Sequence, residues 1–456
     1  MRIEIEDASG YRGHADRWIA PASLEELSAA LAEATRTRTP VTVSGAGTGL
    51  AGGRCPDGGW ALSLEKFRRL EIQPGRALAG AGLALKELHE AAAHSGQFYA
   101  PDPTEWTAAL GGTIACNASG SRSFRFGPTR AHVLGLTAVF MDGTVRHFRR
   151  GERVDFAFTP VRRPRTTKST AGYPLYEGLE WVDLLCGSEG TLAVIAEAEL
   201  ALLPQPRERL SGVVFFLSDE DALAAVENWR AIARLNMLEY MDAASLALLR
   251  PRYGSAIPAG ARAALLVEQD LDGLPGEPID EWLDRLERSG GLEESWFGET
   301  AGDRERFRAF RHALPELVNE RVRANGVQKL GSDFAVPIER NAEMLAWYRE
   351  TLESGFPGRH TLYGHIGDAH VHANILSQDA AEYARGRAWL LETARQAVRL
   401  GGTVSAEHGL GRRKRHLLEI QFSPAEVEAL RAVKRQLDPA GLLGPGILFS
   451  ETPVTD

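Results

Sequence analysis

The run Gly45-Ala-Gly-Thr-Gly-Leu-Ala-Gly-Gly53 follows directly on the β-branched stretch Val41-Thr-Val43, and it limits the folds open to this chain. Glycine allows positive φ and lets successive backbone N–H groups face an anion, so a strand running into such a turn suits a phosphate. Two familiar phosphate folds are excluded by what comes next. No Gly-Lys-Ser/Thr follows, so the turn is not a P-loop. A Rossmann fingerprint opens a long helix and places an acid roughly 20 residues on. Here Gly52, Gly53, Pro56, Gly58 and Gly59 break any helix at once. Alone, a glycine-rich turn is more often structural than ligand-binding. This one is joined in the same half by Pro101-Asp-Pro-Thr104, Gly111-Gly-Thr113, Asn117-Ala-Ser-Gly120 and Gly187-Ser-Glu-Gly-Thr191. Repeated small polar turns at strand ends suit a long dinucleotide lying against backbone.

The second half carries different chemistry, in Gly364-His-Ile-Gly-Asp-Ala-His-Val-His372 and Ser405-Ala-Glu-His-Gly-Leu-Gly411. Imidazole and carboxylate are ligands for Zn²⁺, Mn²⁺ or Fe²⁺, and three of them leave a coordination position open to substrate. Among His365, His372, Glu407 and His408 there are three such ligands and a spare imidazole that can move a proton. A single histidine on an apolar strand is usually a satisfied core residue, but this many beside glycines argue against coincidence. His370 lies two residues before His372 and shares its strand face, where contact with substrate and a structural role are both open. Asp368 is read as orienting a ligand or capping the turn. Arg412-Arg-Lys-Arg415 is a solvated face or, in the minority reading, a docking patch for an acidic electron acceptor.

At 456 residues the chain exceeds one ordinary core, so two domains are the default. With 44% apolar and 25% charged residues it can bury that much core without a partner. The formal charge of -9 argues against nucleic-acid binding. No apolar run reaches the ~18 residues of a membrane span, and the N-terminus lacks a signal-peptide core. Cys55, Cys116 and Cys186 are far apart, which fits a reducing cytoplasm and excludes an iron–sulfur cluster held by this chain alone. Helices are predicted from the Ser23 capping box to about residue 35, over Lys86–His94, about 219–235, about 280–289, Arg304–Ala324, Glu339–Glu353 and Asp379–Leu400. Strands are predicted at Val133–Phe140, Gly212–Phe216, Ala263–Glu268 and His370–Leu376, with strand-like character over Leu184–Ile195 and Ala198–Leu203. Residues 149 to 168, rich in Arg, Pro and Thr, read as an exposed excursion, and Pro204-Gln-Pro206 gives the first break.

Taken together, Val41–Gly53, Pro101–Gly143, Lys168–Tyr173, Cys186–Pro204, Leu238–Asp242, Gly364–Leu376 and Gly401–Lys414 resemble the FAD-linked dehydrogenases of D-2-hydroxy acids. These are the glycolate oxidase D-subunit, D-lactate and D-2-hydroxyglutarate dehydrogenase group of the vanillyl-alcohol oxidase superfamily. The likeness runs from about residue 15 to 449. It implies an α+β protein: residues 1–205 as a PCMH-type FAD-binding domain of two α+β subdomains, and 206–449 as an antiparallel-sheet, ferredoxin-like FAD-linked oxidase C-terminal cap. The last ~20 residues of that cap would return to the flavin.

The resemblance also implies residue roles. Gly45, Ala46, Gly47, Thr48 and Gly49 would hold the FAD pyrophosphate; Pro103, Gly111, Gly112, Thr113, Asn117 and Ala118 would line the flavin and ribityl chain. Glu189, Gly190 and Val194 would take the adenosine end. His365, His372 and Glu407 would bind the metal, with His408 as base. Thr48 and Gly49 offer no histidine for a flavin link, so non-covalent FAD is expected. Arg311, and in second place Lys329, are the cations expected to anchor a substrate carboxylate. Four departures from the family pattern bear on substrate: Ser44 replaces an arginine, Gly444-Pro-Gly-Ile447 replaces Asn-Pro-Gly-Lys, His370 replaces an asparagine, and Lys329 is displaced from Asp333.

The expected reaction is oxidation of a D-2-hydroxy acid (D-lactate, glycolate or D-2-hydroxyglutarate class) to the 2-oxo acid. Electrons would leave to a separate acceptor, such as an Fe–S subunit or an electron-transfer flavoprotein. The expected location is cytoplasmic, or peripheral at the inner membrane through a partner. Two alternatives are a superfamily flavin oxidase on a different alcohol, insensitive to chelation, and a catalytically weak flavin-binding subunit of a larger redox complex.

Overall fold

The computed structural model describes residues 2–274 and 278–450. Ser23 caps the first helix, Leu24–Arg36, by accepting from the Glu26 N–H, and this helix buries Leu27, Leu31 and Ala34. It precedes the short strand Val41–Ser44, which joins Trp60–Ser63 and Arg17–Ile19 in a three-stranded parallel sheet. A five-stranded antiparallel sheet follows, in the order Val145–Arg149, Val133–Val139, Val194–Ala201, Arg76–Gly80, Leu70–Gln73. Between these two sheets the turns singled out above gather: Gly45–Gly49 at the end of a parallel strand, and Leu110–Ala115 as a short helix hydrogen-bonded into the Ala81–Leu83 turn.

Seven strands drawn from residues 209–375 form a second, antiparallel layer. Their order is Trp296–Gly298, Arg209–Phe216, Ala263–Asp270, Leu235–Met241, His360–His365, His370–Ile375, Leu330–Gly331. Ala301–Ala324 buries Phe307, Phe310, Leu314 and Val318 with the sheet residues Val213, Phe215 and Leu266, so one core spans helix and sheet. The mixed helix–strand architecture, with a three-stranded sheet, a five-stranded sheet, two two-stranded ribbons and one broad antiparallel sheet among the described residues, is that of the α+β class.

Three local expectations are corrected. Leu184 belongs to a helix, Trp181–Leu185, because Trp181, Val182, Leu184 and Leu185 bury a helical face against Phe140 and Phe148; the strand begins only at Val194. The helix from 219 stops at Trp229, and Leu235–Met241 is a central strand whose apolar side chains pack on both faces. The 149–168 excursion carries little regular structure, yet Val161 and Lys168 are buried, so it is only partly a surface feature.

Candidate active site

The hairpin His360–His365/His370–Ile375 places the imidazoles. Its register sets His365 directly opposite His370 and Tyr363 opposite His372. Cross-strand partners and alternate residues share a face, so His365, His370 and His372 project to one side. The hairpin turns through Ala369, a non-glycine residue at φ +51°. Glu407 arrives from the 405–411 loop and completes the set. The Nε2 atoms of His365 and His372 each lie 3.3 Å from Glu407 Oε1.

Each imidazole is held from behind. His365 Nδ1 faces Glu239 Oε1 at 2.5 Å, and His372 Nδ1 faces the Ser332 carbonyl at 3.0 Å. Both Nδ1 atoms are therefore donors when the rings are neutral, which leaves both Nε2 lone pairs aimed at a carboxylate oxygen. Lone pairs so arranged need protons or a cation between them, and the donor set is that of a divalent metal. Without a metal, a proton fills the role: burial alone would lower His365, but Glu239 and Glu407 outweigh it and raise it to about 9. His370 also enters the cluster, all of whose ligand atoms lie within 4.8 Å of one another. Its Nε2 is 3.2 Å from Asp333 Oδ1 but poorly aligned, and both its ring nitrogens are buried without a hydrogen-bond partner.

His408 sits on the rim of this cluster, stacked on His372 with ring centroids 5.4 Å apart. Its Nε2 lies 3.7 Å from Glu407 Oε1, and its Nδ1 lies 3.6 Å from Asp333 Oδ1 and 3.5 Å from Lys414 Nζ. Burial is the main cause that lowers it to about 4, with Lys414 adding to the effect against the pull of Asp333. It is thus uncharged near neutrality and ready to accept a proton. Its side chain keeps 24% exposure against 5% for His365, so a substrate can reach it.

Residue roles unassigned from sequence emerge around these side chains. Asp333 builds the 405–408 loop: its carboxylate accepts from Ser405 Oγ at 2.7 Å, from the His408 N–H at 2.9 Å and from the Glu407 N–H at 3.2 Å. Lys168, with 1% side-chain exposure, reaches Glu407 Oε2 at 3.3 Å and Asp368 Oδ2 at 3.5 Å, and Ser119 Oγ donates to Glu407 Oε2 at 3.0 Å. Glu239 is a lone acid inside the apolar strand Leu-Asn-Met-Leu-Glu-Tyr-Met, an anomaly that flags it in sequence alone. Arg311 is at the site, but its Nε is engaged by Glu239 Oε2 at 2.8 Å and its Nη1 reaches Thr104 Oγ1 at 3.3 Å. At Lys329, burial and then Lys414 push the ammonium down to about 8.

The residues expected from sequence to face a dinucleotide lie as follows. Gly47 needs its φ of +88°, while Gly49 and Gly112 face open space, with nothing within 4 Å of where a Cβ would stand. Gly45 and Ala46 are exposed and Thr48 partly so. Gly111 has a different reason to be glycine, since its Cβ would meet that of Ala81 at 2.7 Å. Thr113 Oγ1 is bonded to the Leu110 carbonyl at 2.8 Å, and Asn117, at φ +48°, accepts the Arg130 N–H at 2.9 Å. Pro103 borders Gly120, and the Ala118 carbonyl accepts from Thr129. The Glu189 carboxylate is spent on the Leu410 and Gly411 N–H groups, at 2.9 and 2.7 Å, beside Gly190 at φ +68° and the buried Val194. At Ser44, the Arg54 guanidinium donates to Oγ at 2.9 Å and lies against Gly47, so a cation still attends this loop.

Residues 15–149 match the family described as FAD binding domain, and residues 205–448 match FAD linked oxidases, C-terminal domain. The chain is 33% identical over 436 residues to a D-lactate dehydrogenase of Archaeoglobus fulgidus, covering 94% of this chain and 90% of that one. It is 28% identical over 449 residues to the glycolate oxidase subunit GlcD of Bacillus subtilis, covering 97% and 90%. Among solved structures, alkyldihydroxyacetonephosphate synthase superposes with a TM-score of 0.67 at 15% identity, covering 94% of this chain and 76% of that one, a likeness of fold. With a matched FAD-binding domain ahead of a matched oxidase domain that covers more than half its length, the chain belongs to the FAD-linked oxidases.

Proposed function

We propose that this FAD-linked oxidoreductase acts on CH–OH groups and oxidises a D-2-hydroxy acid to its 2-oxo acid. The observation that carries the reading is the convergence of two imidazole Nε2 atoms on Glu407 Oε1 at 3.3 Å, beside an uncharged, accessible His408. His365, His372 and Glu407 would hold a divalent metal (Zn, Mn or Fe), and the Gly45–Gly49 and Gly111–Ala118 turns would hold FAD non-covalently. When bound, the metal supplies a Lewis acid for a chelated hydroxyl, and FAD supplies the hydride acceptor. His408 takes the hydroxyl proton at Nε2, the nitrogen on the Glu407 side, while Asp333 steadies Nδ1. Lys168 and Ser119 hold Glu407 Oε2, which keeps Oε1 turned toward the two imidazoles. Lys329 and Lys414 offer ammonium groups to a substrate carboxylate. Arg311 contributes through the guanidinium edge that Glu239 leaves free.

The domain division follows from the same reading. Residues 1–205 form the FAD-binding part and 206–449 the substrate and metal part, with the site where the 405–411 loop meets the hairpin. The substrate class is supported by the relative named D-lactate dehydrogenase, and a separate electron acceptor by the relatives named as glycolate oxidase subunits. No helix among the described residues is long and apolar enough to cross a membrane.

The test is anaerobic flavin absorbance during titration of the metal-replete protein with a panel of D- and L-2-hydroxy acids. Bleaching by one D-acid, abolished by a chelator, is expected. Bleaching that survives complete metal removal, or a flavin that no acid in the panel reduces, overturns the reading. His408→Ala is expected to keep FAD and metal and to slow flavin reduction by roughly 10²–10⁴-fold; reduction at the wild-type rate would remove His408 as the base.

A further inference from the structure

The 149–168 excursion has a use that the catalytic reading does not absorb. With the Pro128–Ala131 turn and residues 169–174 it encloses a cavity of about 320 Å³, at the lower end of small-molecule sites. Five cations line the cavity, Arg130, Arg150, Arg162, Arg163 and Lys168, against one carboxylate, Asp183. That carboxylate is already taken, by Arg150 at 2.5 Å and by the Tyr176 hydroxyl. Lys168 is committed to Glu407 and Asp368 on its far side. The other three arginines form no side-chain ion pair among the described residues, although the Glu426 carboxylate accepts the Arg162 backbone N–H at 2.9 Å and Asp183 acts on the Arg130 charge. Arg130 gives one Nη to the Cys186 carbonyl and leaves its Nε buried without a partner. Arg163 lies over the Tyr176 ring at 4.7 Å, near enough for its charge to act on Arg130. Guanidiniums crowded in excess of their carboxylates are relieved by an oxyanion that several of them grip at once.

We propose that this cavity is a second anion site, for a small molecule bearing a phosphate or a carboxylate, distinct from the His365/His372/Glu407 cluster. Lys168 forms part of its wall, so an occupant sits one side chain away from Glu407. Asn117 and Lys168 are shared with the flavin-side turn and the Glu407 cluster, whereas the four arginines belong to this cavity, and the site does not depend on the hydroxy-acid reading.

Calorimetric titration of the FAD-loaded, metal-replete protein with inorganic phosphate and, separately, with citrate tests it. Saturable binding of one probe is expected, and which probe binds identifies the chemistry. The R162S/R163S double variant changes two exposed side chains outside the catalytic cluster. It is expected to weaken that binding by roughly tenfold or more, about 1.4 kcal/mol, with an unchanged flavin spectrum. If neither probe binds, if the double variant binds as the wild type does, or if chelation rather than the double variant abolishes binding, the proposal is wrong.

Discussion

Glu239 joins two side chains that the sequence presents as separate candidates, His365 as a ligand and Arg311 as a substrate anchor. Its two oxygens lie 2.5 Å from His365 Nδ1 and 2.8 Å from Arg311 Nε. Burial would raise this carboxyl, but Arg311 and then His365 hold it well below the usual carboxylate range. A charged Glu239 therefore fixes the tautomer of a neutral His365 and would strengthen its Nε2 toward the proposed metal. Glu239→Gln is expected to lower metal affinity by roughly 10–100-fold while FAD stays bound, read by metal titration against flavin absorbance. Unaltered affinity would show that Glu239 only packs Arg311. A lone acid in an apolar strand was visible in sequence, but which two groups it joins was not, because they lie 72 and 126 residues away.

The short helix Ser123–Phe126 and the residue before it lock the segment around residues 122–126 to the broad sheet. Arg122 meets Glu268 at 2.9 Å and Asp102 at 3.7 Å, and Arg125 meets Asp270 at 2.9 Å. These pairs are largely buried, so removing one partner strands a charge. Arg122→Met is expected to cost about 3 kcal/mol in denaturant unfolding. Burial would raise Glu268, but Arg122 and Arg209 hold it below the ordinary carboxylate value. A depressed carboxyl contributes stability that is complete above the unfolded value of about 4.3 and is lost as pH falls through its folded value. Arg122→Met should accordingly flatten the fall in stability below about pH 4, and an equally steep fall in the variant would dismiss this clamp. At the same scale, helices with a cap and an apolar stripe were legible within a residue or two, as in Leu24–Arg36. Leu235–Met241 was not among the predicted strands, because a strand buried on both faces shows no period-2 alternation.

Over the whole molecule, the 405–411 loop and the C-terminal segment tie the two sheet layers to each other. The Gly411 carbonyl accepts from the Leu448 N–H, the Arg412 N–H reaches the Ala51 carbonyl, and Leu443 bridges Val41 beside the glycine-rich turn. Gly411, at φ +52°, packs so closely on Ala51 that a Cβ would strike its carbonyl. Gly411→Ala is expected to cost roughly 1–3 kcal/mol and to lower FAD content by shifting that turn, measured by thermal unfolding and the flavin-to-protein absorbance ratio. Full flavin content with unchanged unfolding would show that the contact relaxes freely.

What the sequence determined by itself was chemistry that depends on residue type and short spacing. The glycines of 45–53 excluded two phosphate folds, and His365, His372, Glu407 and His408 stood out as a candidate metal-and-base set. What only the tertiary structure decided was which polar groups neutralise one another. Asp333 holds the 405–408 loop, Lys168 backs Glu407, Glu239 binds Arg311, and the excursion's arginines are left around one occupied carboxylate. The reason is physical: ligand type is local, whereas a buried charge is stable only through partners that the chain supplies from far along its length.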